Sequence, residues 1–124
     1  MLLYNVTVKI NKGVEQEWLQ WMQAIHIPDV MNTGMFIESH ICRLLESPPN
    51  LPPESIGINY GEELLTLQAT DDDPTYVIQY VCENNKLLDH YFENHAPALR
   101  EDHDKRYKNK FVAFRTVMEV VSPS

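Results

Sequence analysis

Glycine is scarce in this 124-residue chain, with four in all. None stands in a phosphate-cradling loop, so nucleotide binding by such a loop is disfavoured. Cysteine is scarcer. Cys42 and Cys82 both fall in expected strands and are candidates for neighbours across a sheet. Two lone cysteines without a secretory context nevertheless read as buried thiols rather than a disulfide. No apolar run approaches the roughly 20 residues that cross a bilayer, which excludes a membrane span. The opening Met-Leu-Leu-Tyr-Asn-Val carries neither a basic leader nor a small-residue cleavage site, and a cytoplasmic location is expected. Positive charge is short as well: 10 Lys and Arg against 18 Asp and Glu give a formal net charge of −8. That balance repels a phosphate backbone, and no nucleic-acid partner is expected. The basic cluster Lys105, Arg106, Lys108 and Lys110 directly follows Glu101, Asp102 and Asp104, and reads as a solvated helix end. Neither HExxH nor CxxC occurs, and the 5 histidines form no compact set with carboxylates, so no metal centre is expected. A Ser or Cys nucleophile motif is also absent. No cofactor is predicted, but haem stays open, since a single proximal histidine suffices and leaves no motif.

What the chain does have is periodicity. In Leu2–Ile10 the even positions are apolar (Leu2, Tyr4, Val6, Val8, Ile10), while Asn5, Thr7 and Lys9 alternate with them. Phe111–Val121 repeats the pattern, with Val112, Phe114 and Met118 opposite Arg115 and Glu119, and Thr75–Glu83 reads as another strand. Met35–Leu45 alternates less cleanly and invites a β-bulge. Between strands, Val14, Trp18, Trp21, Met22 and Ile25 lie at i, i+4, i+7, i+8 and i+11, a helical stripe whose tryptophans read as core. Pro28 is expected to break that helix near His26-Ile27 and start a short new one, closed by Gly34. A second long helix starts at Asn84 or Asn85, carries Leu87, Leu88, Tyr91 and Phe92 inward, and kinks at Pro97 before ending near Tyr107. Pro48, Pro49, Pro52 and Pro53 make Ser47–Glu54 extended and loop-like, and Leu64–Ala69 is a candidate short extra strand.

The order β-α-β-β-α-β is two β-α-β units, which predicts an α+β, ferredoxin-like antiparallel sheet with both helices on one face. Those helices are expected on the even faces of the first and last strands, burying Tyr4, Val6, Val8, Phe114 and Met118. The other face keeps Leu3, Ile37, Ile41, Val77, Val81, Val117 and Val121 around its polar residues. A two-fold partner closing sheet on sheet would cover that apolar surface.

Trp18-Leu19-Gln20-Trp21-Met22 through His26-Ile27-Pro28-Asp29-Val30 to Thr33-Gly34-Met35-Phe36 has a familiar cast. So do Tyr4-Asn5-Val6-Thr7-Val8 and His95-Ala96-Pro97 through Phe111-Val112-Ala113-Phe114-Arg115-Thr116. Together they resemble a family of small bacterial proteins known as a domain of unknown function, which looks like part of the dimeric α/β-barrel superfamily. The resemblance implies one domain over 1–124, a proline-rich inserted loop at 46–75, and a homodimer with facing sheets. That superfamily includes cofactor-free monooxygenases, muconolactone isomerases, haem-handling enzymes and dimers without established activity, so the fold does not choose among them.

Candidate chemistry centres on His26, three residues before Asp29. A turn of helix would bring them together as a general base and its orienting carboxylate. The competing use, capping groups freed at the proline break, is the favoured one. His95 sits at the other break and would stack with Leu99 and His103 along one helix side, where surface or structural use is favoured. Arg43 and Arg115 are strand residues able to point into a dimer cavity, either paired with Glu38 or Glu119 or anchoring an acidic ligand. Trp18 or Trp21 would wall such a pocket. Two readings follow: a homodimer binding a small organic acid or aromatic molecule, monooxygenase- or isomerase-like with His26 as base, or a non-catalytic dimeric interaction module.

Overall fold

The computed structural model describes residues 1–45 and 72–122. The expected 46–75 insertion, with its Ser47–Glu54 loop and Leu64–Ala69 strand, therefore lies outside the described residues except for 72–75. Strand β1 (Leu2–Ile10) leads through a 3₁₀ turn at Lys12–Val14 into helix α1 (Glu15–Trp21). The Asn11 side chain accepts from the Gly13 N–H at 2.8 Å to hold that turn. A π-helical segment, Met22–His26, joins α1 to α2 (Ile27–Met31). Strands β2 (Glu38–Arg43) and β3 (Thr75–Cys82) precede α3 (Asn85–Asn94), α4 (Ala96–Arg106) and β4 (Phe111–Glu119).

The sheet order is β2-β3-β1-β4, antiparallel throughout, which is the ferredoxin-like arrangement. Residues directly opposite in an antiparallel ladder share a face. Tyr4 opposes Tyr80, Val6 opposes Ile78 and Val8 opposes Tyr76, so the even residues of β1 and β3 form the helix-covered face. There Tyr4, Val8, Ile10, Ile78 and Tyr80 are buried with Trp18, Met22, Val30, Leu88 and Tyr91 from the helices. Each fully buried large apolar side chain contributes about 1.5–3 kcal/mol.

Strand β4 departs from expectation. Val6 opposes Arg115, Val8 opposes Ala113 and Tyr4 opposes Val117, so its odd residues face the helices. Phe114 and Met118 consequently lie on the second face, opposite Thr7 and Leu3. Ile41 opposes Ile78, so both Ile41 and Val117 belong to the helix side rather than the second face. The stronger apolar alternation in β4 thus marks the face turned away from the helices. Strand β2 is shorter than expected and its ladder from Glu38 to Arg43 runs without a bulge. As an edge strand it is largely exposed on both sides, so little burial sharpens its pattern. Cys42, on that strand, is exposed, while Cys82 is buried with Sγ 3.4 Å from the Met35 carbonyl; both are free thiols.

Helix starts and stops follow local chemistry. The Asn84 side chain accepts from the Leu87 N–H at 2.9 Å and caps α3. Pro97 lies in the first turn of α4, as a proline best tolerated there would. Gly34, with φ +79°, takes the left-handed conformation that ends α2. Pro28 does not break the first helix. Ile27 before it keeps helical geometry (φ −62°, ψ −45°) and donates its N–H to the Met22 carbonyl five residues back. The chain widens by one residue instead of stopping.

Candidate functional site

The wide turn decides which side chain faces the sheet. In an uninterrupted α-helix the Trp18–Trp21–Met22 stripe would continue at Ile25. With one extra residue in the turn, Ile25 swings out to 47% exposure. His26 turns in, its ring stacked on Trp21 at 5.1 Å and 29°. There it lines a cavity of about 30 Å³ between the sheet and the helices. Tyr4, Tyr80, Tyr91, Arg100, His103 and Arg115 supply the polar part of the wall, and aliphatic side chains from both layers supply the rest. In this conformation the space suits one or two waters.

Among the described residues the buried His26 Nδ1 has no hydrogen-bond partner. Burial, reinforced by neighbouring His103 and by Arg115, pulls the His26 imidazole down to about 4, against the opposing influence of Asp102 and Asp104. It is therefore neutral at pH 7, with a ring nitrogen available. Asp29 is not its partner: that side chain is exposed in the first turn of α2, turned outward where His26 turns inward.

His103 is buried 5.7 Å from His26, ring centre to ring centre. Its Nε2 accepts from the Trp18 Nε1–H at 2.9 Å, and its Nδ1 lies 3.3 Å from Asp104 Oδ1. An Nε2 that accepts carries no proton, so the neutral ring holds its proton on Nδ1. Burial lowers the His103 pKa despite the pull of Asp104. Trp18 and Trp21 thus stand behind the cavity wall, one orienting His103 and one backing His26. Burial likewise raises the Tyr80 and Tyr91 pKa values, keeping both phenols protonated and able to donate.

Arg115 lines the cavity mouth from β4, half exposed, and faces the helices instead of a dimer cavity. Neither Glu38 nor Glu119 pairs with it; His40 takes Glu38, and among the described residues no carboxylate forms an ion pair with Arg115. Arg43 lies elsewhere. It reaches Glu15 at 3.5 Å, and the same carboxylate accepts from the Tyr76 hydroxyl at 2.6 Å, so its pairing is structural but with a helix residue. His95 sits in the α3–α4 break, stacked against Tyr91 at 6.2 Å and 5.5 Å from His90, away from the lining. The break brings those two imidazoles closer than an ideal helix would. Among the described residues no group of three His, Cys, Asp or Glu can hold a metal.

Sequence reasoning missed Arg100 and the inward role of His103. Ala96, Leu99, Arg100, His103 and Tyr107 lie at i, i+3, i+4, i+7 and i+11, the spacing of one helix face. The signal was present, hidden because two of the five are polar and acidic neighbours surround them.

The fold recurs in solved structures of low identity. A substituted form of MhuD, solved with two manganese protoporphyrin IX molecules per active site, is 15% identical at a TM-score of 0.60, covering 100% of this chain and 98% of that one. A substituted form of SnoaB, a cofactor-independent oxygenase from Streptomyces nogalater, is 13% identical at 0.54, covering 98% and 95%. A dimeric ferredoxin-like protein from an uncultured marine organism is 9% identical at 0.55, covering 100% and 98%. The chain accordingly has the ferredoxin-like fold of dimeric α/β-barrel proteins. No helix among the described residues is long and apolar enough to cross a membrane. No curated protein matches the chain in sequence. Residues 1–121 match the model for the Domain of unknown function (DUF4286), and the chain belongs to that family.

Proposed function

We propose that this protein is a cytoplasmic homodimer that binds a small organic molecule between sheet and helices and removes a proton from it with His26. One observation carries the reading: a partly buried, neutral imidazole, whose buried Nδ1 has no hydrogen-bond partner among the described residues, lines a partly polar cavity. A base must be unprotonated, and His26 is so above about pH 5, although the burial that keeps it neutral also makes it a weaker base than an ordinary imidazole. Proton removal from an activated C–H or O–H is a step shared by cofactor-independent oxygenation and by isomerisation, and His26 performs it without Asp29. Arg115 at the mouth favours a ligand that is acidic or becomes so. The ligand must also widen the cavity, and the π-helical segment is the element placed to yield. The exposed apolar residues Val112 and Met118 on the second face, together with the dimeric state of one structural neighbour, support closure by a second copy.

The test is a thermal-shift screen of single-ring carboxylic and phenolic compounds against the wild type, His26→Gln and Arg115→Gln. A wild-type hit whose turnover disappears in His26→Gln while its binding survives is the expected result. No wild-type hit, together with a large melting-temperature loss in His26→Ala, would assign His26 a structural role and favour a non-catalytic interaction module.

A further inference from the structure

Arg100 is the unexplained charge in this cavity. It lies on the inward stripe of α4, and its buried Nε has no hydrogen-bond partner among the described residues. Its Nη2 donates to the Tyr4 hydroxyl at 3.1 Å, and its guanidinium lies 5.7 Å from the centre of the Phe92 ring. Among the described residues no carboxylate pairs with it. A guanidinium never loses its proton in a protein, so the charge persists at every working pH. The Phe92 ring face attracts that charge only weakly, and removing it from water without a counter-ion is costly unless an anion completes the site. Tyr4, having accepted from Arg100, keeps its own O–H to donate. Among the described residues the lining contains two arginines and no aspartate or glutamate, so no carboxylate of theirs competes with an incoming anion.

We infer that Arg100 and Tyr4 form an anion subsite inside this cavity and that the ligand carries a carboxylate seated there. The inference rests on the cavity being the ligand site proposed above, and it deepens that reading by fixing the ligand's charge. The carboxylate accepts from the Arg100 Nε–H and from the Tyr4 hydroxyl, while the rest of the molecule extends toward His26. Arg115 at the mouth draws the anion in; Arg100 holds it.

The Arg100 Nε–H is its own reporter. In a ¹H–¹⁵N spectrum of the full chain its signal is assigned by its loss in Arg100→Lys. Acetate and benzoate are then titrated beside the neutral acetamide and benzamide. The expected result is a saturable downfield shift of that signal with the carboxylates and none with the amides. The shift should persist in His26→Gln. Arg100→Gln should weaken benzoate binding about 10- to 100-fold, the value of a charge-assisted hydrogen bond, with the preference over benzamide abolished. If the carboxylates shift the His26 ring signals but leave Arg100 unmoved, the anion subsite is overturned and the proposed ligand site stands. If neither carboxylate moves any lining signal, both are overturned.

Discussion

His26 and His103 show how two imidazoles 5.7 Å apart acquire different work. His103 has a donor, the Trp18 indole, on one nitrogen and a carboxylate near the other, so its tautomer and orientation are fixed. His26 has a stacking partner but, among the described residues, no hydrogen bond at Nδ1. Both were visible in the sequence as histidines, but only His26 stood out, because it lay two residues before Pro28 at the expected helix break. The inward placement of His103 depended on reading a polar residue as part of a buried stripe. Burial of His26 also gives stability a pH dependence. The unfolded chain binds a proton there below about 6.5, the folded chain only below about 4. Stability contributed above pH 6.5 is therefore lost progressively as pH falls toward 4, by about 3 kcal/mol in total. The lowered His103 pKa acts in the same direction. Urea denaturation at pH 7.5, 6 and 5 should show a steeper decline in the wild type than in His26→Gln; parallel declines would mean that His26 is not held neutral. Trp18→Phe should cost about 1–3 kcal/mol by leaving the His103 Nε2 unsatisfied, in addition to the volume lost, and thermal or chemical denaturation measures it.

Among the elements, the π-helical segment is the one that sequence periodicity misjudged. Pro28 was legible as a disturbance, but whether a chain answers a proline by stopping or by widening depends on what the following turn can bury. Here Val30 is buried and Phe36 follows it into the core, so continuing the helix is favoured. The widening also costs the stripe its phase, which is why Ile25 is exposed and His26 is not. Deleting Ala24, itself exposed, should restore a regular helix and set the Pro28 ring against the carbonyl four residues back, at a cost of about 3 kcal/mol or more. Combining that deletion with Pro28→Ala should recover much of the loss, whereas Pro28→Ala alone should change stability by less than about 1 kcal/mol. Melting temperatures of the three variants decide this, and equal losses with and without Pro28 would remove the proline from the explanation. Strand β4 carries the converse lesson. Its register could not be read from alternation, because its more apolar face, with Val112, Phe114 and Met118, points away from the helices while Arg115 points to the cavity.

For the whole molecule, the antiparallel βαββαβ sheet with both helices on one face and the existence of an apolar second face were legible, since they follow from right-handed β-α-β units and from two-fold periodicity. Which apolar residues occupy that face was not, for the reason β4 supplies. Val112 and Met118 remain 50% and 46% exposed there. Burying them against the same face of a second copy removes that apolar surface from water. Sedimentation velocity at micromolar concentration should give a dimer for the wild type, and Met118→Lys combined with Val112→Lys should shift it toward monomer without unfolding it. A wild-type chain that stays monomeric under those conditions would contradict the sheet-to-sheet assembly.

The chemistry of the cavity turns on one side chain, and long-range ¹H–¹⁵N NMR of the His26 ring tests it most directly. Spectra collected from pH 8 to pH 4, without ligand and with the strongest carboxylate from the screen, report both its protonation and its partner. The predicted result is a neutral ring down to about pH 5, a midpoint near 4, and an Nδ1 signal that moves when the carboxylate binds. A midpoint at or above the ordinary 6.5, with a ring signal indifferent to every ligand, would contradict it.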